Sequence, residues 1–143
     1  MKILLPIVAA SALVACAGDE LPLATAQSDA QGKRFLAPAA GTGALYIYRT
    51  RSGNTADIYV GSRVVGPLNG DYWLRVDLPP GPHDVRCSLP AWGTQGAAEI
   101  DIRDGSTTYL LATEYMPNCR LASVNPAQAQ PAILAGKRVR ELR

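Results

Sequence analysis

Short stretches of alternating apolar and polar residues, separated by turn residues about every ten positions, run from residue 44 to residue 124. Turn pairs such as Gly61-Ser62, Asn69-Gly70 and Asp104-Gly105 separate the stretches. The predicted strands lie at residues 44–49, 57–60, 63–65, 72–78, 83–89, 98–103, 107–115 and 119–124. This many short strands, each with one apolar face, can form two packed sheets. We therefore expect an all-β fold, a small antiparallel β-sandwich of the immunoglobulin-like kind.

The N-terminus has the pattern of a secretory signal peptide. Met1-Lys2 precedes an apolar run at residues 3–14, which is too short for the roughly twenty residues that a membrane-spanning helix needs. The following Leu13-Val14-Ala15-Cys16 resembles the lipobox of bacterial lipoproteins. This resemblance implies removal of residues 1–15, transfer of a diacylglycerol to Cys16 and attachment to a membrane through palmitate-type acyl chains. The alternative is an ordinary cleavage site that happens to precede a cysteine.

The rest of the chain divides by composition into three parts. Residues 16–43, rich in Ala, Gly, Gln, Ser and Asp, predict a flexible tether on which only the apolar pair Phe35-Leu36 should dock on the domain. Residues 44–125 form the predicted sandwich. Residues 126–143 predict a short helix, interrupted by Pro131, and a basic tail. The tail could contact anionic lipid or phosphate, but we favour a solvated terminus.

Three stretches carry a resemblance to a known family. The sequences ALYIYR, GPLNGDY and VDLPPGPH at residues 44–49, 66–72 and 76–83 look like the bacterial lipoprotein family catalogued as domain of unknown function 2846. The match spans about residues 33 to 135. The last of these stretches also resembles a turn of the β-sandwich modules called PEGA domains. The resemblance implies a PEGA-like sandwich and a place in the cell envelope, and it brings no catalytic residues. In enterobacterial lipoproteins, Asp after the lipobox cysteine favours retention in the inner membrane. Ala17 stands at that position here, so the resemblance to lipoproteins points to the outer membrane, with the domain in the periplasm.

Two cysteines remain once Cys16 carries lipid. Cys87 and Cys119 form an even pair in an oxidising compartment, and we predict a structural disulfide between them. A redox pair is the alternative, but redox-active thiols usually lie close together in the sequence, whereas these are far apart.

The composition argues against several classes of function. A formal net charge of +2 is too small for a protein that neutralises many phosphates, so we expect no nucleic-acid partner. One histidine and three cysteines provide too few ligands for a zinc site in addition to a histidine-assisted nucleophile, so we predict no metal, cofactor or catalytic residues. His83 and its neighbour Asp84 should point to opposite faces of a strand. Spacing alone leaves a carboxylate pair among Asp77, Glu99 and Asp101 open, although alternating acids on a strand usually face solvent.

The tryptophans are the candidate binding residues. Trp73 falls on the polar face of its strand, and Trp92 lies in a loop where its indole should be half exposed. Such rings could anchor a protein partner or stack on a sugar, or they could instead cover the sandwich edge and receive Phe35-Leu36. Our first hypothesis is a non-enzymatic envelope lipoprotein that binds an envelope protein through its sheet edges and these tryptophans. The alternative is a glycan- or peptidoglycan-binding module.

Overall fold

Nine strands and two helices make up residues 20–143, the part of the chain that this computed structural model describes. All eight predicted strands are present, and their ends differ from the prediction by a few residues. The elements are α1 (Ala26–Gly32), β1 (Gly43–Tyr48), β2 (Ala56–Val60), β3 (Arg63–Leu68), β4 (Tyr72–Leu78), β5 (Gly81–Leu89), β6 (Thr94–Ile102), β7 (Thr107–Tyr115), β8 (Asn118–Val124), α2 (Pro126–Ala135) and β9 (Lys137–Arg138).

The strands form two sheets, with orders β8-β7-β1-β4-β9 and β3-β2-β5-β6. Most neighbours are antiparallel, and the prediction of a small all-β sandwich is confirmed. The five-stranded sheet is mixed, however, because β1 pairs in parallel with β7 and β4 pairs in parallel with β9. Five strands, β2 to β6, lie between β1 and β7 in the chain, so the parallel pair is joined by a long connection.

The main core lies between the two sheets. The alternation within β4 works as the sequence predicts: Leu74, Val76 and Leu78 point into this core, with 0–5% of each residue exposed. Ile58 and Leu110 meet them from β2 and β7. Burial of apolar area on this scale is the dominant favourable contribution to folding.

A second apolar layer covers the outer face of the five-stranded sheet. Every residue of β1 is buried, because Leu45 and Ile47 face the sandwich core while Tyr46 and Tyr48 face the helices. Ile133 of α2 packs against this outer aromatic face. The structure therefore has three layers, with helices, the mixed sheet and the four-stranded sheet stacked in that order.

The prediction of a flexible tether is wrong for residues 20–43. They include α1, which Thr25 caps by accepting a hydrogen bond from the backbone N–H of Ser28 at 3.1 Å. Asp29 then accepts the backbone N–H of Arg138 at 2.7 Å, which ties the helix to β9. Composition misled here, because α1 has few apolar residues and is held by polar contacts to a segment more than a hundred positions away.

The docking of Phe35 is confirmed, since its ring centroid lies 5.6 Å from that of Tyr46 and 6.3 Å from that of Tyr109. Leu36 differs from the prediction and is half exposed.

The C-terminal helix is confirmed, but the solvated tail is not. Asn125 caps α2 by accepting the N–H of Gln128 at 2.9 Å, and the helix runs through Pro131 to Ala135. Beyond it, Val139 is fully buried and donates its N–H to the Trp73 carbonyl at 2.7 Å. The tail is ordered because it supplies an edge to the mixed sheet.

Candidate functional site

The predicted lipidation site, Cys16, lies outside residues 20–143, so lipidation stays a prediction. Within the described residues, no helix is long and apolar enough to cross a membrane.

The predicted disulfide is present. Cys87 on β5 and Cys119 on β8 are bonded, with their Cα atoms 5.9 Å apart, and both residues are buried. The bond joins the four-stranded sheet to the mixed sheet. Gly96 lies against the carbonyl of Cys119, and a Cβ atom there would overlap it, so only glycine allows the two sheets to approach this closely. The disulfide is therefore part of the core, and its burial argues against a redox role.

Trp73 is not at a surface, which corrects its assignment as a binding residue. Only 1% of Trp73 is exposed. Its ring lies 5.7 Å from that of Tyr46, and the Arg138 guanidinium lies 5.4 Å from the ring centroid. Gly32 at the end of α1 contacts the indole so closely that a side chain there would overlap it. The face of β4 that the sequence predicted to be polar is covered by α1 and by the C-terminal segment. The sequence had predicted these two segments to be a flexible tether and a solvated tail.

Two of the other candidates, His83 and Asp77, have structural roles. His83 Nε2 lies 2.7 Å from the carbonyl oxygen of Pro79, so the ring closes the β4–β5 turn. Asp84 is exposed on the face of β5 opposite to that of His83. It lies directly beside Glu99 on the neighbouring strand β6. Asp77 accepts a hydrogen bond from Arg75 Nε at 2.9 Å on the other sheet, so it makes no pair with the acids of β6.

Among residues 20–143, no group of three or more His, Cys, Asp or Glu side chains is placed to hold a metal ion.

A groove opens at the end of the sandwich where β1 and β7 finish. The cavity volume is about 620 Å³, and its walls include Leu111, Tyr115 and Met116 together with Arg51 and Arg120. The β1–β2 loop forms one side, and the β7–β8 hairpin forms the other. An apolar wall flanked by two guanidinium groups can bind a partner that combines an apolar side chain with a carboxylate.

A buried ion pair forms the floor of this groove. The Arg49 side chain, 3% exposed, donates from Nη2 to Glu114 Oε2 at 3.4 Å, and from Nη1 to the carbonyls of Asn54 and Leu68 at 2.6 and 3.2 Å. Glu114 also accepts the backbone N–H of Asn54 at 2.9 Å and its side-chain amide at 2.7 Å.

The hydrogen bonds from Asn54, with the charge of Arg49, lower the pKa of Glu114 below its usual range. Burial lowers the pKa of Arg49, which stays charged. Arg49, Glu114 and Asn54 satisfy one another's hydrogen bonds, so the ion pair holds the β1–β2 loop in place. Contacts with a ligand are therefore left to the side chains of the groove walls.

Large apolar side chains are exposed beside the groove. Tyr115 and Met116 are 75% and 52% exposed, and Trp92 in the β5–β6 turn is 51% exposed, as the sequence predicts. The Thr94 hydroxyl donates to the Pro117 carbonyl, so the two turns lie side by side. We call Trp92, Tyr115 and Met116 the apolar tip. Sequence reasoning missed Tyr115 and Met116, although two large apolar residues directly before a turn proline, where polar residues are usual, were a usable signal.

Comparisons with known proteins leave the family open. No protein-family model matches the chain, and no curated protein matches it. One solved structure that resembles it is the N-terminal domain of AlgF from P. aeruginosa, at 13% sequence identity and a TM-score of 0.45. The likeness covers 62% of this chain and 99% of the AlgF domain.

Proposed function

We propose that this protein is a lipid-anchored bacterial cell-envelope protein, without enzymatic activity, whose β-sandwich domain binds another envelope protein. The lipobox-like sequence that ends at Cys16 supports the anchor. The buried Cys87–Cys119 disulfide fits a domain that folds in the oxidising periplasm. The absence of Asp after Cys16 favours the outer membrane.

The apolar tip is the observation that carries the interaction role. Single exposed apolar residues are ordinary on a protein surface, but three large ones at the ends of two adjacent hairpins form a patch of the kind that marks interfaces. Aromatic residues and arginine are also the usual energetic anchors of protein contacts, and here Arg51 and Arg120 line the groove beside the tip. The polar groups at the groove floor bond to one another, which favours binding over catalysis.

Photo-crosslinking in intact cells tests this proposal. A photoreactive amino acid is placed at Tyr115 in one strain and at Leu134 in another. Leu134 is the matched control because it is 54% exposed on α2 and is not one of the residues that line the groove. We expect one discrete adduct from position 115, none from position 134, and loss of the adduct when Cys16→Ala mislocalises the protein. Equal adduct patterns from the two positions would contradict the proposal.

A glycan-binding module is the second candidate, and the half-exposed indole of Trp92 is the observation in its favour. Indole rings stack on sugar faces, and the turn at residues 90–93 holds this ring at the outer end of the sandwich. Binding to purified cell wall separates this candidate from the first.

A further inference from the structure

We propose that the C-terminal segment is a second membrane contact, a basic surface that docks the domain on anionic phospholipid headgroups beside its lipid anchor. This inference rests on the lipid anchor of the proposed function. We call the surface formed by residues 20–24 and 137–143, together with Arg63, the anchor-side surface.

The first argument is the position at which the N-terminal segment, which leads to Cys16, leaves the domain. The backbone of Ala24 donates to the Arg138 carbonyl at 2.9 Å, and Arg140 donates to the Pro22 carbonyl at 2.7 Å. The basic C-terminal segment is thus hydrogen-bonded directly to the chain that leads to Cys16. Six residues span at most about 22 Å, so an acylated Cys16 would keep Pro22 and its C-terminal partners close to the headgroups.

The second argument is charge. The anchor-side surface and the charged side chains next to it comprise six cations against four acids, a net charge of +2. The cations are Lys33, Arg63, Lys137, Arg138, Arg140 and Arg143, and the acids are Glu20, Asp29, Asp71 and Glu141. Glu141 is already paired with Arg63 at 2.9 Å, and Arg138 is held by the Ser28 carbonyl at 2.8 Å. The cations that remain exposed to meet lipid are Lys137, Arg140 and Arg143.

The far edge of the molecule has the opposite sign. The outward residues of β5 and β6 and the turn after them hold four acids against two arginines, a net charge of −2. They are Asp84, Glu99, Asp101 and Asp104 against Arg86 and Arg103. Since β6 and β9 lie on opposite edges of the sandwich, a negatively charged membrane attracts one edge and repels the other.

An exposed apolar residue also supports the proposed membrane contact. Leu23 is 48% exposed and shares a shallow groove with Lys137 and Tyr72. An apolar side chain beside a lysine suits the boundary of headgroups and acyl chains, where its burial is favourable.

Footprinting of the reconstituted lipoprotein tests the inference. The acylated protein is purified from membranes, its acyl mass is verified, and it is inserted into vesicles of phosphatidylcholine alone or mixed with phosphatidylglycerol. Phenylglyoxal then modifies exposed arginines, which are quantified by mass spectrometry. Arg103, exposed at the far edge, is the internal reference. We expect phosphatidylglycerol to slow labelling of Arg140 and Arg143 at least about fivefold relative to the reference, the factor for one charge near an anionic surface. High salt should remove the protection.

A pair of charge-reversal variants provides the control, with acetylation of Lys137 as the readout. Arg140→Glu with Arg143→Glu should abolish the protection of Lys137 by phosphatidylglycerol, whereas Arg103→Glu should leave it intact. A ratio of Arg140 and Arg143 labelling to Arg103 labelling that is the same in both kinds of vesicle, on protein with verified acyl mass, would overturn this inference alone. Absence of acyl mass would overturn the lipid anchor, and this inference with it.

Discussion

Replacing Glu114 with alanine should destabilise the domain strongly, although the residue lines a groove that is open to solvent. The Arg49 side chain is 3% exposed, and within residues 20–143 Glu114 is the one acid paired with it. Without the carboxylate, Arg49 is left as a buried cation, and both donors of Asn54 lose their acceptor.

The magnitude follows from the surviving contacts. Removing one partner of a buried ion pair costs about 3–5 kcal/mol. Here the two carbonyls that accept from Arg49 remain, and the Glu114 side chain is 15% exposed, so water can reach part of the site. We therefore expect the lower end, about 3 kcal/mol of unfolding free energy, and a fall in Tm of about 10 °C.

Urea unfolding followed by tryptophan fluorescence measures this change, because Trp73 lies in the core. Glu99→Ala is the control, since Glu99 is an exposed acid on β6, and it should change the unfolding free energy by less than about 0.5 kcal/mol. Equal effects of the two substitutions at neutral pH would refute the reasoning.

The same variant has a pH signature. The pKa of Glu114 is lowered in the folded state, so its contribution is fully present above its ordinary pKa of 4.5 and is lost as the pH falls through the lower, folded-state value. The difference in unfolding free energy between the wild type and Glu114→Ala should therefore shrink below about pH 4.5. A difference that grows with acidity would contradict the assigned shift.

Three further outcomes are expected. Cys87→Ala with Cys119→Ala should lower the unfolding free energy by about 3.7 kcal/mol, because the bond closes a loop with a sequence separation of 32, and an unchanged urea midpoint would contradict this. Phe35→Ala should cost about 2 kcal/mol, less than a fully buried phenylalanine, and the loss should appear as faster amide exchange in α1; no change in exchange would show that the contact is dispensable. If the glycan-binding candidate is correct, Trp92→Ala should weaken co-sedimentation with purified cell wall several-fold, whereas unchanged sedimentation would count against it.

The strands and the disulfide were predictable because their signals are local. Alternation and turn pairs fix each strand within a few positions, and once Cys16 is set aside only one pairing of cysteines is left. The parallel pairing of β1 with β7 was not predictable, because strand order depends on contacts across about sixty residues.

The second apolar layer shows where local reasoning fails. Alternation placed Trp73 on the face opposite Leu74 correctly, but it could not show that α1 and α2 cover that face. A signal did exist in β1, where Tyr46 and Tyr48 alternate with Leu45 and both faces of the strand are therefore apolar. Doubly buried strands have this composition. The Arg49–Glu114 pair had no comparable signal, since its members are 65 positions apart.

The lipid anchor is the claim on which the proposed function depends, and the mass of the N-terminal peptide of membrane-purified protein tests it most directly. We predict a peptide that begins at Cys16 and carries a diacylglycerol on its sulfur, with residues 1–15 removed. Palmitate labelling of the chain should disappear in Cys16→Ala. A mature chain that begins at another residue, or an unmodified Cys16, or palmitate labelling that persists in Cys16→Ala, would contradict the account.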